Sequence, residues 1–357
     1  MRVYNFSAGP SMLPLPVLEK VQKALLNYDN TGMSVMEMSH RSKPYEAINA
    51  KAEDLLRELM GISSQYAVIF VQGGASTQFE AIPLNISKSK KADYVVTGIF
   101  SEKAYKEVQK FTSAKVIASS KDKNFSYIPK IEKSVITPDA DYMHICYNNT
   151  IVGTRFRSPV DTGDIPLVAD MSSMILSEEV DVSKFGVIYA GAQKNLAPAG
   201  VTIVIVKREL AENPSPQCPT MLKWKTQIEQ NSLYNTPPAF STYVAMEVMQ
   251  WLKELGGVKA IQKINEEKAN MLYDFIDNSK FYNNGVEKEF RSLMNVPFVS
   301  PSADLDDTFV KEAGKNGLLT LKGHRLVGGM RASIYNAMPV DGVKSLIEFM
   351  KKFENDN

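Results

Sequence analysis

Short apolar runs alternate with amphipathic stretches along most of the chain. Over residues 17–28 and 45–59 the apolar positions recur at the spacing of one helix face, and Gly61 stands just past the second stretch as a stop. Residues 66–71 form a compact run rich in β-branched side chains, followed by the turn Gln72-Gly73-Gly74 and a helical pattern through Phe79. Further strand-like runs occupy 93–97, 115–118, 142–146 and 165–169, with a helical pattern over 102–111 between the first two; the polar stretch 87–93 reads as a loop. Strands spaced by helices predict an α/β fold whose mainly parallel sheet is covered on both faces. The runs 186–190 and 201–206 are too close together for a helical crossover, so they are predicted as neighbouring strands joined by a structured turn. A helix is predicted over 241–255, then an interruption at Gly256-Gly257 and another helix over 261–276. The remainder alternates strand and helix patterns at 295–299, 306–314, 325–335 and 340–353, as in a compact α+β unit. These shifts divide the chain into a large domain at 16–255 and a smaller one at 256–357, after an N-terminal segment at 1–15.

Composition narrows the function classes. A chain of 357 residues, 44% hydrophobic and 23% charged, has the makeup of a folded globular protein of two domains. Its 41 basic and 40 acidic side chains leave no positive field to hold a nucleic acid. No run of about eighteen apolar residues exists to span a membrane, and the N-terminus has no export-signal pattern. The two cysteines, Cys146 and Cys218, lack metal-site or disulfide-framework spacing, so no metal is expected and a reducing cytoplasm is the expected setting.

Candidate chemistry begins at Lys194, set among small residues at the end of the apolar run Val187-Ile188-Tyr189-Ala190. A lysine held out of water there has a destabilised ammonium and a nucleophilic amine, as a Schiff base requires. Asp170 closes another apolar run, where a carboxylate can pair with a protonated pyridine nitrogen. Gln72-Gly73-Gly74-Ala75-Ser76-Thr77 turns from strand to helix, and its free N–H groups, joined by the Ser76 and Thr77 hydroxyls, suit a phosphate.

In this order the three features resemble the phosphoserine aminotransferases, class V members of the fold-type I pyridoxal-phosphate enzymes. The resemblance is carried by Asn5-Phe6-Ser7-Ala8-Gly9-Pro10, Met38-Ser39-His40-Arg41, residues 187–200, Asn235-Thr236-Pro237-Pro238 and residues 322–336. It implies a seven-stranded, mainly parallel sheet in the large domain, with the N-terminal segment packed on the small one. It implies pyridoxal 5'-phosphate on Lys194, which also moves the substrate proton, with Asp170 at the ring nitrogen and Thr150 beside the phenolic oxygen. Gly74, Ala75, Ser76 and Gln193 would surround the cofactor phosphate, and Asn235 and Thr236 would reach the phosphate of a partner subunit in a homodimer. Phe100 takes the place of the family's usual stacking tryptophan, and Ser76 the place of an arginine found in many members. Ser7 and Arg331 are implied in substrate binding, with Arg331 on the α-carboxylate.

Histidine usage bears on the substrate. Only three histidines and nine arginines occur, yet His40-Arg41 and His324-Arg325 are adjacent pairs. Such pairs suit a phosphate monoester, which carries about −1.5 to −2 charges near neutral pH. The implied reaction exchanges the amino group between L-glutamate and 3-phosphohydroxypyruvate, giving 2-oxoglutarate and O-phospho-L-serine. The related 4-phosphohydroxy-L-threonine of vitamin B6 synthesis is a second implied substrate. Other readings remain: a different aminotransferase of the same fold, a desulfurase, for which neither cysteine is suitably placed, and a cofactor-free phosphate-binding or scaffolding protein, if Lys194 is only structural.

Overall fold

The structure is a computed structural model that describes residues 2–357. In chain order the elements begin β1 (Tyr4–Asn5), α1 (Leu15–Ala24), α2 (Lys43–Met60), β2 (Tyr66–Val71), α3 (Gly74–Ile86), β3 (Lys91–Val96), α4 (Ile99–Val108) and β4 (Ser113–Ser119). Next come β5 (Tyr142–Cys146), β6 (Leu167–Asp170), β7 (Val187–Gly191), β8 (Thr202–Lys207), α5 (Arg208–Ala211), α6 (Trp224–Glu229) and α7 (Ala239–Glu254). The chain closes with α8 (Gly257–Asn278), β9 (Asn295–Phe298), α9 (Ala303–Lys315), β10 (Leu318–Leu319), β11 (Met330–Ser333) and α10 (Val340–Asp356).

Seven strands form one sheet in the order β2-β8-β7-β6-β5-β3-β4. All its pairings are parallel except those of β8, which is antiparallel to both neighbours. The β7–β8 pair is the expected close connection, made without a helical crossover. Because side chains alternate along a strand, each strand feeds two cores. Val68 and Phe70 of β2 join Ile188 and Ala190 of β7 on the face packed by α2 and α7, whereas Ala67, Ile69, Val187 and Tyr189 face α3 and α4. Burial on both faces explains why these strands read as unbroken apolar runs.

Outside this sheet, β1 pairs in parallel with β10, and β9 pairs antiparallel with β11. These small sheets share the packing of α8 and α10, and the first pairing ties the N-terminal residues to the last third of the chain.

Three expectations shift. The first helix ends at Ala24 instead of residue 28, because Asn27 takes extended backbone (φ −157°, ψ 96°), and Asp29 and Asn30 then turn the chain with left-handed backbone (φ 44° and 59°). The loop expected over 87–93 yields its last residues to β3, which begins at Lys91. The strand expected over 325–335 contracts to Met330–Ser333, since Gly328 and Gly329 (φ 78° and 64°) interrupt extended backbone and leave Arg325 in a loop.

Candidate active site

One edge of the large sheet gathers the candidate residues, because β2, β3, β5, β6 and β7 all run toward it. Asp170 is the last residue of β6, and Lys194 lies three residues beyond β7. Period-two alternation from Val168 puts Asp170 on the α3–α4 face. Asp170 is buried, and its Oδ1 accepts a 2.9 Å hydrogen bond from the Ser172 N–H. The Ser172 hydroxyl in turn accepts from the Gly191 N–H at 3.0 Å, joining the acid to the strand that leads to Lys194.

The Lys194 ammonium donates to Thr150 Oγ1 at 2.7 Å and stands 5.4 Å from the centre of the Phe100 ring. Burial pushes its pKa below the ordinary lysine value and nearby Arg331 adds to that, while the charge of Asp170 opposes it. The segment before α1 covers this turn: Ser11 N–H donates to Gln193 O at 3.0 Å, and its hydroxyl bonds Lys194 O. Gly9 lies so close that a β-carbon there would come within 3.3 Å of the Lys194 side chain.

Around this centre the sequence candidates fall unevenly. Gly73 and Gly74 take left-handed backbone (φ 95° and 69°), which starts α3 with no capping side chain, so its first N–H groups remain open to an anion. Ala75 is partly buried there and Ser76 is exposed. Thr77 is a correction: its hydroxyl donates back to Gly73 O at 2.8 Å and is not free for a phosphate. The Gln193 side chain lies against Gly191, where a β-carbon would meet its Oε1 at 2.7 Å. Thr236 O accepts from Gln72 Nε2 at 2.8 Å, which sets Asn235 and Thr236 beside the glycine turn of the same chain. Ser7 makes turn contacts only, receiving the Gly9 N–H on its hydroxyl at 3.2 Å.

Arg331, on β11, reaches Thr150 O with Nη1 at 3.4 Å, while its buried Nε has no partner among the described residues. An unsatisfied guanidinium N–H aimed at this site fits a carboxylate ligand. His324 lies near Arg331, Arg325 and Lys103, whose positive charges join desolvation in holding its pKa down. His40 is buried with Nε2 unpartnered and Arg41 is exposed, and among the described residues no hydrogen bond joins this pair to His324-Arg325.

Ser172, Lys103, Ser11 and Tyr335 escaped the sequence reading. Asn149 did too: it donates to Thr97 Oγ1 and Thr154 Oγ1, both at 3.1 Å, and leaves no room for a side chain at Gly98, where a β-carbon would meet its Oδ1 at 2.5 Å. Burial raises the pKa of both thiols, so neither Cys146 nor Cys218 is poised as a nucleophile.

Comparison with known proteins finds relatives along nearly the whole chain. The aminotransferase class-V family model matches residues 3–346. Phosphoserine aminotransferase of Bacillus cereus is 57% identical over 357 residues, covering 100% of this chain and 99% of that protein. Its counterpart in Listeria innocua is 55% identical over 356 residues, covering 99% and 97%. Among solved structures, phosphoserine aminotransferase from Bacillus circulans subsp. alkalophilus superposes with a TM-score of 0.97 at 46% identity, covering 99% of each chain. A PLP-bound phosphoserine aminotransferase from Trichomonas vaginalis gives 0.93 at 38%, covering 98% of this chain and 100% of that one. The chain belongs to the class-V aminotransferase family.

Proposed function

We propose that the protein transfers the amino group of L-glutamate to 3-phosphohydroxypyruvate, giving 2-oxoglutarate and O-phospho-L-serine, with pyridoxal phosphate as cofactor. Full-length similarity to phosphoserine aminotransferases supports the reaction. The observation that carries it is one amine, pushed toward its neutral form by burial, close enough to Asp170 to feel its charge. When bound, pyridoxal phosphate supplies an electrophilic carbon and an electron-withdrawing ring, chemistry no protein side chain offers.

The chain's own residues divide the remaining work. Lys194 would hold the cofactor, and its amine would take and return the proton at the substrate Cα, a task favoured by its lowered pKa. The Asp170 carboxylate would pair with the ring nitrogen, and Thr150 holds a hydroxyl beside Lys194. The open N-terminus of α3 would bind the cofactor phosphate, and Phe100 would cover the ring. Arg331 takes the substrate α-carboxylate on its unpartnered Nε, while His324 and Arg325 receive the distal anion.

A second copy of the chain completes the pocket with His40, Arg41, Asn235 and Thr236. Exposed Leu26, Met33, Met36, Met221 and Tyr234 support such a partner, since large apolar side chains are otherwise left in water. The unpaired cysteines fit a cytoplasmic setting, and no helix among the described residues is long and apolar enough to cross a membrane. A coupled assay with glutamate as donor tests the reading by comparing 3-phosphohydroxypyruvate with the keto acid derived from 4-phosphohydroxy-L-threonine. Turnover of the first is expected; transfer to neither would sink the proposal.

A further inference from the structure

A second lysine, remote from the reacting atoms, is buried more completely than Lys194. Lys268, on α8, has no exposed surface, and its ammonium donates to three backbone carbonyls: Ile334 at 3.0 Å, Tyr335 at 2.8 Å and Met338 at 3.0 Å. Three N–H groups meet three acceptors, so nothing is left to bind a ligand. Burying an ammonium is expensive, and an apolar side chain of similar volume would fill the same space without that penalty. The carbonyls it gathers belong to the turn directly after β11, and that turn touches the N-terminal cover and the Lys194 turn. The Tyr335 ring lies near Arg331, and its hydroxyl donates to Ala8 O of the N-terminal cover at 2.9 Å. The Asn336 N–H donates to Asn195 Oδ1, next to Lys194, at 3.0 Å. One helical turn before Lys268, Asn265 donates to Asn336 Oδ1 and Ser177 O, both at 2.9 Å, bracing the same turn.

We infer that Lys268 is a positioning residue: by clamping the 334–338 turn it sets Arg331, the N-terminal cover and the Lys194 turn in one fixed relation. This rests on the reading of Arg331 as the carboxylate ligand.

The test uses the holoenzyme with Lys268→Met, which keeps the volume and removes the donors, alone and combined with Arg331→Lys. Because small misplacement of a substrate-orienting group is worth about a hundredfold, kcat/KM for glutamate is expected to fall by roughly that factor, mainly through KM. On top of Arg331→Lys the further fall should shrink to a few-fold, since both changes disturb the same contact. Thermal midpoints measured alongside report the purely structural part. A lowered midpoint with kcat/KM within twofold of the parent would overturn the inference, as would a full hundredfold loss on the Arg331→Lys background. If Lys268→Met does not fold, Lys268→Gln, which keeps two donors, carries the same comparison with a smaller expected loss. Wild-type protein unable to transfer from glutamate defeats the functional reading itself, whereas an active parent indifferent to Lys268 defeats only this inference.

Discussion

Lys194 and Lys268 are both lysines whose pKa burial pushes down, yet their surroundings differ in one decisive way. Lys268 has every N–H engaged by a carbonyl inside the α8–β11 packing. Lys194 has a single hydroxyl partner at an open sheet edge, an aromatic ring nearby and a carboxylate within range of its charge. Burial alone therefore does not make a lysine reactive. Reactivity requires a lowered pKa together with unspent donors and room for a ligand; where the donors are all spent, the same residue becomes a clamp.

Mutations can break this contrast from the reactive side first. Lys194→Ala is expected to lower turnover by about 10⁴-fold or more, since it removes both the cofactor anchor and the proton carrier. Single-turnover absorbance changes at near-parental rates would refute that role. Asp170→Asn keeps the shape and the Ser172 contact but deletes the charge, with an expected fall in kcat of about 10² to 10³. An unchanged kcat would mean that the carboxylate is only structural.

Arg41→Ala and Arg325→Ala should each weaken kcat/KM for the phosphorylated keto acid by about ten- to a hundredfold, the worth of a charge-assisted hydrogen bond. The loss with glutamate should be smaller, because a carboxylate carries less charge; equal losses would count against a phosphate role. Gly98→Ala, which forces a β-carbon against Asn149, should destabilise the fold by about 1 to 3 kcal/mol in denaturant titrations. A variant as stable as the parent would show that Asn149 can move aside.

A further effect, seen in stability against pH, concerns the clamp. Lys268 has its pKa lowered from 10.5 to about 7 by desolvation. Between those values the unfolded chain keeps its ammonium while the folded one sheds a proton and holds the turn with the two N–H donors that remain, so raising the pH favours the folded state. The stability of the parent relative to Lys268→Met should therefore rise from pH 7 toward pH 10. A difference independent of pH would mean that the buried ammonium is not penalised.

Much of this was legible in the chain because both cores impose simple periods. The runs 66–71 and 142–146 coincide with β2 and β5, since strands buried on both faces admit little but apolar residues. The short link between 186–190 and 201–206 marked β7 and β8 as neighbours, whereas the pairing of β8 with β2 was not legible, because an apolar run does not name its partner. Lys194, Asp170 and the glycine turn stood out by their places at the ends of apolar runs, whereas Ser172 and Asn149 act through hydrogen bonds that leave no spacing signal. Lys268 did leave one. Ile261, Asn265, Lys268 and Leu272 recur on a single buried face of α8, and two polar residues on an apolar stripe mark groups whose partners must lie inside.

The contrast between the lysines meets its most direct test in covalent trapping. Protein incubated with pyridoxal phosphate, reduced with borohydride, digested and mapped by mass spectrometry is expected to carry the pyridoxyl group on the peptide containing Lys194 and to leave Lys268 unmodified. An adduct on Lys268 or another side chain, or no adduct at all, would contradict the account.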